Sequence, residues 1–314
     1  MNERVVILTG GVGGAKLVLG ICNVFPAEQV TAIVNTGDDF DHFGLRISPD
    51  LDTLLYTLAG KANAEQGWGR AGESWNFMAA LSSLGGEGWF RLGDGDLALH
   101  VLRTARLHAG ENLTAITADF ARSWQVGASL LPMSNDPIAT ILATDEGKMP
   151  FQRYFVARRC EPRMRAIRFE GAQTARAAPG VVEAITDPAT TAILIAPSNP
   201  YLSIDPILSV AKIRSALEQR AAPAIAVSPI VGGNSVKGPT AKLMVELGLP
   251  VSNATIASHY AGLIDGLLCD QRDGSGSAKA LGVAVAATDT LMISLDDRIR
   301  VAKAALALAD SLRS

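Results

Sequence analysis

Residues 5–17 have the sequence Val5-Val6-Ile7-Leu8-Thr9-Gly10-Gly11-Val12-Gly13-Gly14-Ala15-Lys16-Leu17. The apolar run at 5–8 is typical of a buried strand, and residues 17–24 are compatible with a helix. The four glycines between them can adopt positive φ angles and let backbone N–H groups approach a ligand closely. Because a helix N-terminus also carries unpaired N–H donors and partial positive charge, we expect this loop to bind an anion, typically a phosphate. A strand–helix turn without a ligand is the alternative.

The loop matches neither of the common nucleotide-binding patterns. The dinucleotide motif G-x-G-x-x-G, counted from Gly11, would need glycine where Lys16 stands. The ATP/GTP loop needs glycine directly before the lysine and Ser or Thr after it, whereas Lys16 lies between Ala15 and Leu17. We therefore expect the loop to bind phosphate, with Lys16 adding a positive charge, although the loop belongs to neither pattern.

Composition excludes several classes of protein. The chain has 314 residues, 48% of them hydrophobic, and a net charge of −3, so it can bury a large core and offers no basic cluster for nucleic acid. Cys22, Cys160 and Cys269 are widely spaced and form no C-x-x-C pair, which argues against a disulfide framework or a zinc site. No secretory signal pattern and no apolar run of about 18 residues is present. We expect a cytoplasmic protein that contacts neither nucleic acid nor membrane.

Short buried strands alternate with helices along much of the chain. This pattern predicts a mostly parallel, doubly wound α/β sheet, with the whole of residues 1–314 forming one Rossmann-like domain. Few strand patterns occur between residues 60 and 128, so we predict an inserted helical region that covers the C-terminal edge of the sheet. A β-hairpin is predicted at 138–144 and 151–157, after a turn-rich connection at 131–137. The remaining predictions are strands at 30–34, 191–196, 224–227 and 283–285, helices at 74–84, 97–109, 113–124, 206–217 and 296–312, and loops at 230–239 and 273–277.

Polar loops follow several of the predicted strands. They cover residues 10–16, 35–39, 198–201 and 232–238. Because an open α/β sheet binds its ligands at the C-terminal ends of the strands, these loops are expected to form one site. Lys16 and Lys237 could neutralise phosphates there. The four histidines show no metal-binding spacing and are expected to be structural.

Four carboxylates belong to the same region, at Asp38, Asp39, Asp50 and Asp52. Together they are too many for a phosphate site unless a divalent cation lies between them. Magnesium is usually held by one or two carboxylates plus the substrate phosphates, so we expect Mg²⁺. Asp50 and Asp52, two residues apart, could both face the site only from a loop or a helix start. No nucleophile elbow is present, which leaves chemistry on a phosphate or diphosphate.

Seven motifs in this order resemble the 2-phospho-L-lactate transferase family of coenzyme F-420 biosynthesis. They are Gly10-Gly11-x-Gly13-Gly14-x-Lys16-Leu17, Asn35-Thr36-Gly37-Asp38-Asp39, Ser48-Pro49-Asp50-Leu51-Asp52-Thr53, Leu92-Gly93-Asp94, Leu131-Pro132-Met133-Ser134, Ser198-Asn199-Pro200 and Ser228-Pro229-Ile230-Val231-Gly232-Gly233. The resemblance implies a Rossmann-like core with a helical insertion, a need for magnesium and a homodimer. It also implies transfer of a phospholactyl-type group from a guanylyl diphosphate donor to the deazaflavin alcohol Fo, with release of GMP.

The resemblance also implies a role for individual residues. Asp50 and Arg91 would contact Fo, and Asp50 would orient or deprotonate its terminal hydroxyl while Lys16 offsets charge on the phosphoryl oxygens. Asp38 and Asp39 would serve metal or phosphate, and we expect Asp52 to be a further metal ligand. The residues expected to hold the nucleotide are Gly10, Gly11, Gly13, Gly14, Asn35, Thr36, Ser198, Asn199, Gly232, Gly233 and Lys237.

Three positions depart from the pattern of the family. Gly95 and Asn234 stand where a basic residue is common, and Asn135 stands where an aspartate is usual. The acid carried by the donor therefore stays open between phosphoenolpyruvate, 2-phospholactate and 3-phosphoglycerate. Two other functions also stay open: a regulator that binds nucleotides or nucleotide sugars, and an NAD-dependent dehydrogenase, which the missing sixth-position glycine opposes.

Overall fold

A computed structural model of the protein describes residues 3–236, 238–273 and 282–313. The strands in chain order are β1 (Arg4–Thr9), β2 (Val30–Val34), β3 (Phe40–His42), β4 (Leu45–Ile47), β5 (Ser129–Pro132), β6 (Ala139–Thr144), β7 (Gly147–Pro150), β8 (Met164–Glu170), β9 (Thr190–Ile195), β10 (Ala224–Val227), β11 (Ile230–Val231), β12 (Asn234–Ser235), β13 (Gly266–Asp270) and β14 (Ala284–Thr288). The helices are α1 (Gly11–Cys22), α2 (Pro49–Leu58), α3 (Asn76–Ser83), α4 (Asp94–His108), α5 (Leu113–Ser123), α6 (Val181–Thr186), α7 (Asp205–Leu208), α8 (Ala211–Glu218), α9 (Thr240–Glu246), α10 (Asn253–His259) and α11 (Leu295–Asp310).

A parallel sheet forms the centre of the fold. In the described part of the chain it has seven strands in the order β14-β13-β10-β9-β1-β2-β5, and every neighbouring pair is parallel. The chain runs outward from β1 through β2 to β5, and then resumes on the other side of β1 with β9. Where the connections that follow two neighbouring parallel strands run to opposite sides of the sheet, a crevice forms at the C-terminal ends of those strands. The strand order therefore places a binding crevice between β1 and β9.

Helices cover both faces of this sheet. One face of β1 packs Val5 and Ile7 against α1, α2, α5 and α11, and the other packs Val6 and Leu8 against α6, α8, α9, α10 and the β6–β8 sheet. These four side chains are at most 1% exposed. A strand buried on both faces has no polar alternation, which explains the continuous apolar run at the start of the chain. The predicted Rossmann-like, doubly wound fold is confirmed.

The region between α2 and β5 is helical, with α3, α4 and α5 in the positions expected from the sequence. Two predictions in the next region are wrong. Residues 151–157, predicted as the second strand of a hairpin, are helical, with a π-helical turn at Arg153–Ala157. Strand β6 pairs instead with β7 and β8, both antiparallel. Gly147, at φ +103°, closes a tight turn, so the returning strand begins at residue 147 and not at the predicted residue 151.

Other differences concern short elements. The residues predicted as a turn at 131–137 begin within β5, which pairs with β2 at the edge of the sheet. The predicted helix at 206–217 is broken into α7 and α8, and the loop at 230–239 contains the small β11–β12 hairpin. Lys237 and most of the loop predicted at 273–277 lie outside the described residues. No described helix is both long and apolar enough to cross a membrane.

Candidate active site

A cavity of about 900 Å³ opens at the C-terminal edge of the sheet. Its walls include the glycine loop after β1, the segment at 197–199 after β9 and the segment at 290–292 after β14. The inserted helical region supplies another wall through residues 67–69 and 89–91. The cavity therefore joins the crevice predicted by the strand order to the helical region.

The glycine loop is held closely against its neighbours. Gly11 begins α1 at φ +64°, in the left-handed region where glycine is favoured. Gly10 is extended, so its conformation does not require glycine, but a Cβ there would lie 2.5 Å from Asp50 Oδ2. Added Cβ atoms at Gly13 and Gly14 would likewise meet Pro197 and Ser198. The glycines thus allow β1, α1 and the segment after β9 to come together around the cavity.

Asp50 joins this loop to the end of β2. Its Oδ1 accepts a hydrogen bond from the Gly11 N–H at 2.8 Å, and its Oδ2 accepts one from Asn35 Nδ2 at 3.0 Å. Asp50 is the second residue of α2, which starts at Pro49, so both Asp50 and Asp52 reach the cavity wall from a helix start, as expected. Burial is the main cause that raises the pKa of Asp50 to about 6.

Asp38 and Asp39 lie side by side but have different surroundings. Asp38 lines the cavity, and its buried Oδ1 has no hydrogen-bond partner among the described residues. Burial and then the nearby Asp50 carboxylate hold the pKa of Asp38 well above its usual range. Asp39 accepts a hydrogen bond from Ser48 Oγ at 2.7 Å and lies 3.8 Å from Arg46 Nη2. Burial raises the pKa of Asp39 to about 7 although Arg46 opposes the shift.

Asp52 belongs to a buried network below the cavity. Both of its oxygens accept hydrogen bonds from the Arg103 guanidinium. His100, on the cavity wall, lies between two carboxylates: its Nδ1 is 3.7 Å from Asp52 Oδ2 and its Nε2 is 3.1 Å from Asp96 Oδ2. Tyr56 donates a further hydrogen bond to Asp96. Asp52 is therefore already balanced by an arginine.

These contacts test how well the predicted carboxylates fit magnesium. Among the described residues no group of three or more His, Cys, Asp or Glu side chains is arranged to hold a metal ion. Magnesium, however, needs only one or two protein carboxylates when substrate phosphates complete its coordination. Asp38 fits this role because it lines the cavity, its buried Oδ1 is unpartnered and Asp50 repels it. Asp39 also has a buried Oδ1 without a partner, but it is not on the cavity wall and, like Asp52, it already faces an arginine. The site thus fits a cation at Asp38.

The wall from the inserted region is aromatic. Phe90 packs edge-on against Phe40 with ring centroids 4.9 Å apart, and Trp89 lies beside it at 5.6 Å. Arg91 follows them, and its guanidinium lies over the Trp75 ring at 4.1 Å. Trp89, Phe90 and Arg91 all line the cavity. This wall offers an apolar aromatic surface with a positive charge at one side.

The remaining predicted site residues occupy several positions. Lys16 lines the cavity, and its Nζ donates to the Met292 carbonyl at 2.5 Å. Ser198 and Asn199 also line it, whereas Asn35 and Thr36 are buried behind the wall. Gly232 and Gly233 form the exposed turn of the β11–β12 hairpin and are not among the described residues on the wall, whereas Val231, Val236 and Gly238 of the same loop are.

The three positions that depart from the family pattern are not on the cavity wall. Gly95 packs under the Arg70 guanidinium, and Asn135 accepts hydrogen bonds from Thr114. Asn234, in β12, bonds the next backbone N–H. The charge differences at these positions therefore act away from the cavity.

Many residues on the wall were not predicted to belong to the site. They include His100, Gln152, Phe155 and Arg159. The i, i+4 spacing of Asp96 and His100 on a predicted helix could have indicated the first, since residues so spaced are neighbours. Gln152 and Phe155 lie in the segment 151–157 that was predicted as a strand, and Arg159 lies two residues after it, so the sequence did not indicate that they share a cavity wall.

Solved structures with this fold are known. Protein BH3568 from Bacillus halodurans, described as a member of the UPF0052 family, matches with a TM-score of 0.66 and 18% identity, covering 98% of this chain and 100% of that one. At this level of identity the likeness concerns the fold alone.

Curated relatives match at much higher identity. A phosphoenolpyruvate transferase from Streptomyces griseus is 41% identical over 319 residues, covering 99% of this chain and all of the relative. Its namesake from Mycolicibacterium smegmatis is 37% identical, with 98% of each chain covered. The family model of 2-phospho-L-lactate transferase CofD matches residues 5–304. The chain therefore belongs to the 2-phospho-L-lactate transferase CofD family, transferases of coenzyme F-420 biosynthesis.

Proposed function

We propose that this protein transfers an enolpyruvyl-phosphoryl group from a guanylyl diphosphate donor to the terminal ribityl hydroxyl of Fo and releases GMP. The observation that carries the proposal is the cavity, in which the glycine-rich start of α1 and an aromatic wall face one space of about 900 Å³. That volume lies in the upper part of the range for small-molecule sites. The choice of the enolpyruvyl acid rests on the curated relatives, which are named phosphoenolpyruvate transferases.

The donor diphosphate would bind at the start of α1. The first N–H groups of a helix have no partner within the helix, and Val12 and Gly13 of this first turn line the cavity. The Gly11 N–H is already used by Asp50, so the phosphates would bind the next amides of the turn. Lys16 lies one turn further along and would add a full positive charge beside the partial charge of the helix end.

Fo would bind against the inserted region. Trp89 and Phe90 give an apolar surface for the deazaflavin ring, and offset or edge-on contacts between aromatic groups are favourable. Arg91 lies next to them and can bond a polar edge of the ring. Asp50, which lines the same cavity, is fixed by Gly11 and Asn35 and can orient the ribityl hydroxyl.

The reaction breaks one bond and forms one. The Fo hydroxyl oxygen bonds to the phosphorus that carries the organic acid, the bond from that phosphorus to the bridging oxygen breaks, and GMP leaves while the hydroxyl proton passes to a base or to water. Asp50, with a pKa of about 6, can accept it. Magnesium held at Asp38 would offset negative charge on the phosphoryl oxygens. Positioning by the protein supplies most of the remaining effect, as is general for phosphoryl transfer.

Mass spectrometry of the product tests this function. The purified protein would be incubated with Fo, Mg²⁺ and guanylyl diphosphate donors that carry phosphoenolpyruvate, 2-phospholactate or 3-phosphoglycerate. We expect GMP and the enolpyruvyl-phosphoryl ester of Fo, with the first donor turned over fastest. A faster reaction with another acid would reassign the donor. Nucleotide binding without GMP release from any donor would contradict the proposal and favour a regulator.

A further inference from the structure

We infer that Arg159 binds the carboxylate of the donor's organic acid and so selects donors that carry an acid over plain GDP. This inference rests on the function proposed above and assigns a specific residue to one part of the donor. Arg159 lies on the cavity wall in the segment after β7. This segment forms a separate wall of the cavity, distinct from the glycine loop and from the aromatic wall.

The segment presents one face to the cavity. Its cavity-lining residues include Gln152, Phe155, Val156 and Arg159, which are spaced i, i+3, i+4 and i+7. Residues 151–157 are helical, with a π-helical turn at Arg153–Ala157, and Arg159 lies two residues beyond the end of that turn. Gln152 Nε2 reaches the backbone carbonyl of Asp38 at 3.5 Å, so the segment is attached to the loop that carries the proposed magnesium ligand. The stretch of the segment that lines the cavity therefore runs from Gln152, beside the Asp38 loop, to Arg159.

The charges along this segment single out Arg159. Arg153 forms an ion pair with Glu87 at 2.9 Å and lies over the Trp89 ring, and Arg158 bonds Glu146 at 2.7 Å. Arg159 has no ion pair, side-chain hydrogen bond or ring stacking with any described residue. Arg153 and Arg158, which have protein partners, do not line the cavity. Arg159 lines it and has no such partner among the residues described. Its guanidinium is available for a ligand.

The backbone at Arg159 adds a second observation. Arg159 and Cys160 both have left-handed backbones, with φ of +48° and +58°. This conformation is uncommon for residues other than glycine, and it is typical of the place where a helix ends. The two residues end the helical segment, and the Cys160 N–H is fixed by the Tyr154 carbonyl at 2.9 Å. The turn thereby holds Arg159 at the cavity instead of letting the helix continue past it.

The chemistry of the donor indicates what Arg159 would bind. The donor has two anionic parts, a diphosphate and a carboxylate. The diphosphate has the start of α1 and Lys16, and Arg91 is stacked on Trp75 beside the aromatic wall. A carboxylate matches the planar fork of an arginine, which can bond both oxygens at once. Since all three candidate acids carry a carboxylate, Arg159 would recognise this shared group and would not distinguish among them.

Equilibrium binding in the absence of Fo tests the inference, because no turnover occurs. The dissociation constants of GDP and of the enolpyruvyl-diphosphate donor would be measured for the wild type, Arg159→Met, Arg159→Lys and the neighbouring control Arg158→Met. We expect Arg159→Met to bind the donor about ten- to a hundredfold more weakly, as for loss of a hydrogen bond to a charged group, with GDP unchanged. Arg159→Lys should recover part of the loss, and Arg158→Met should behave as the wild type.

The outcomes separate this inference from the proposed function. Equal affinities of Arg159→Met and the wild type for the donor, or equal weakening for donor and GDP, would overturn the inference. If Arg159→Met instead raised only the KM for Fo, Arg159 would belong to the acceptor site and the inference would also be wrong. If the wild type releases GMP from the donor and Arg159→Met binds the donor as the wild type does, the inference is wrong but the transferase assignment stands. A wild type that binds neither nucleotide would overturn both.

Discussion

The Asp50 carboxylate accepts the Gly11 N–H at 2.8 Å, so the start of α2 is bonded to the start of α1. Anions bind well at a helix N-terminus, and in this protein one of the donors is used by its own side chain. The second oxygen of Asp50 is held by Asn35 after β2. A single side chain thus fixes the glycine loop relative to the neighbouring strand end, and the shape of the proposed phosphate site depends on it.

Replacing Gly10 tests this dependence. In Gly10→Ala the new Cβ would lie 2.5 Å from Asp50 Oδ2 and 2.8 Å from Ser203 Cβ, so Asp50 must move. We expect unfolding to become easier by about 1–3 kcal/mol, as in other overpacked sites, and turnover to fall at least about tenfold. Gly88→Ala is the control, because a Cβ there meets nothing within 4 Å. Activity of Gly10→Ala equal to that of Gly88→Ala would show that Asp50 need not be fixed.

Removing the cation or its proposed ligand tests the role of Asp38. Chelation should abolish turnover, and Mg²⁺ should restore it. Asp38→Asn should be inactive but more stable without metal, by about 0.5–2 kcal/mol, because it removes a buried charge that faces Asp50. Thermal unfolding in chelator and a GMP-release assay measure the two effects. Asp41→Asn, at an exposed carboxylate of β3, is the control. Full activity of Asp38→Asn, or a lower melting temperature, would contradict this assignment.

The central sheet could be predicted from the sequence because its strands are buried on both faces. Continuous apolar runs such as those of β1 and β9 cannot be confused with polar surface, and the glycine loop marks where the first one ends. Strands β5 and β13 were not recognised. Strand β5 ends in Pro132 and lies at the edge of the sheet, where one side of its backbone needs no partner. Because proline is also common in turns, the sequence of this strand favours a turn.

The contacts within the candidate site could be predicted only in part. The four aspartates were found as a group, but their partners come from remote elements: Arg103, which neutralises Asp52, is 51 residues away on α4. Arg159 was hidden for another reason. Residues 151–157 contain β-branched and aromatic side chains that favour a strand, and a tight turn at Gly147 overrode that local preference. Such long-range pairings leave no local pattern in a single sequence.

The pair formed by Asp52 and Arg103 gives a prediction on stability. Both side chains are nearly inaccessible, at 4% and 1% exposure as residues. Arg103→Met would leave Asp52 buried without its partner, which should destabilise the fold by about 3–5 kcal/mol. Denaturant unfolding would measure the loss. Arg4→Met, which breaks the exposed pair with Asp187, should cost less than about 1 kcal/mol. Equal effects of the two substitutions would mean that solvent reaches Asp52.

Arg91 provides the sharpest separation of a transferase from a protein that only binds nucleotides. Its guanidinium lies over Trp75, and Arg91 lines the cavity together with Trp89 and Phe90 of the aromatic wall. Arg91→Ala should therefore raise the KM for Fo about tenfold or more while the affinity for GDP stays the same. An exposed cation–π contact contributes only about 0.5–1 kcal/mol, so the melting temperature should change little.

Two comparisons make this result interpretable. Arg122→Ala removes an exposed arginine of α5 that pairs with Asp119, and it should leave Fo and GDP binding unaltered. Asp50→Asn should weaken the binding of both Fo and GDP. An amide has only one acceptor oxygen, so its NH₂ group would point at either the Gly11 N–H or the Asn35 Nδ2, and both of these groups are donors. If Arg91→Ala weakened GDP as much as Fo, the aromatic wall would be part of the nucleotide site. A nucleotide-binding regulator would then account for the cavity better than a deazaflavin transferase.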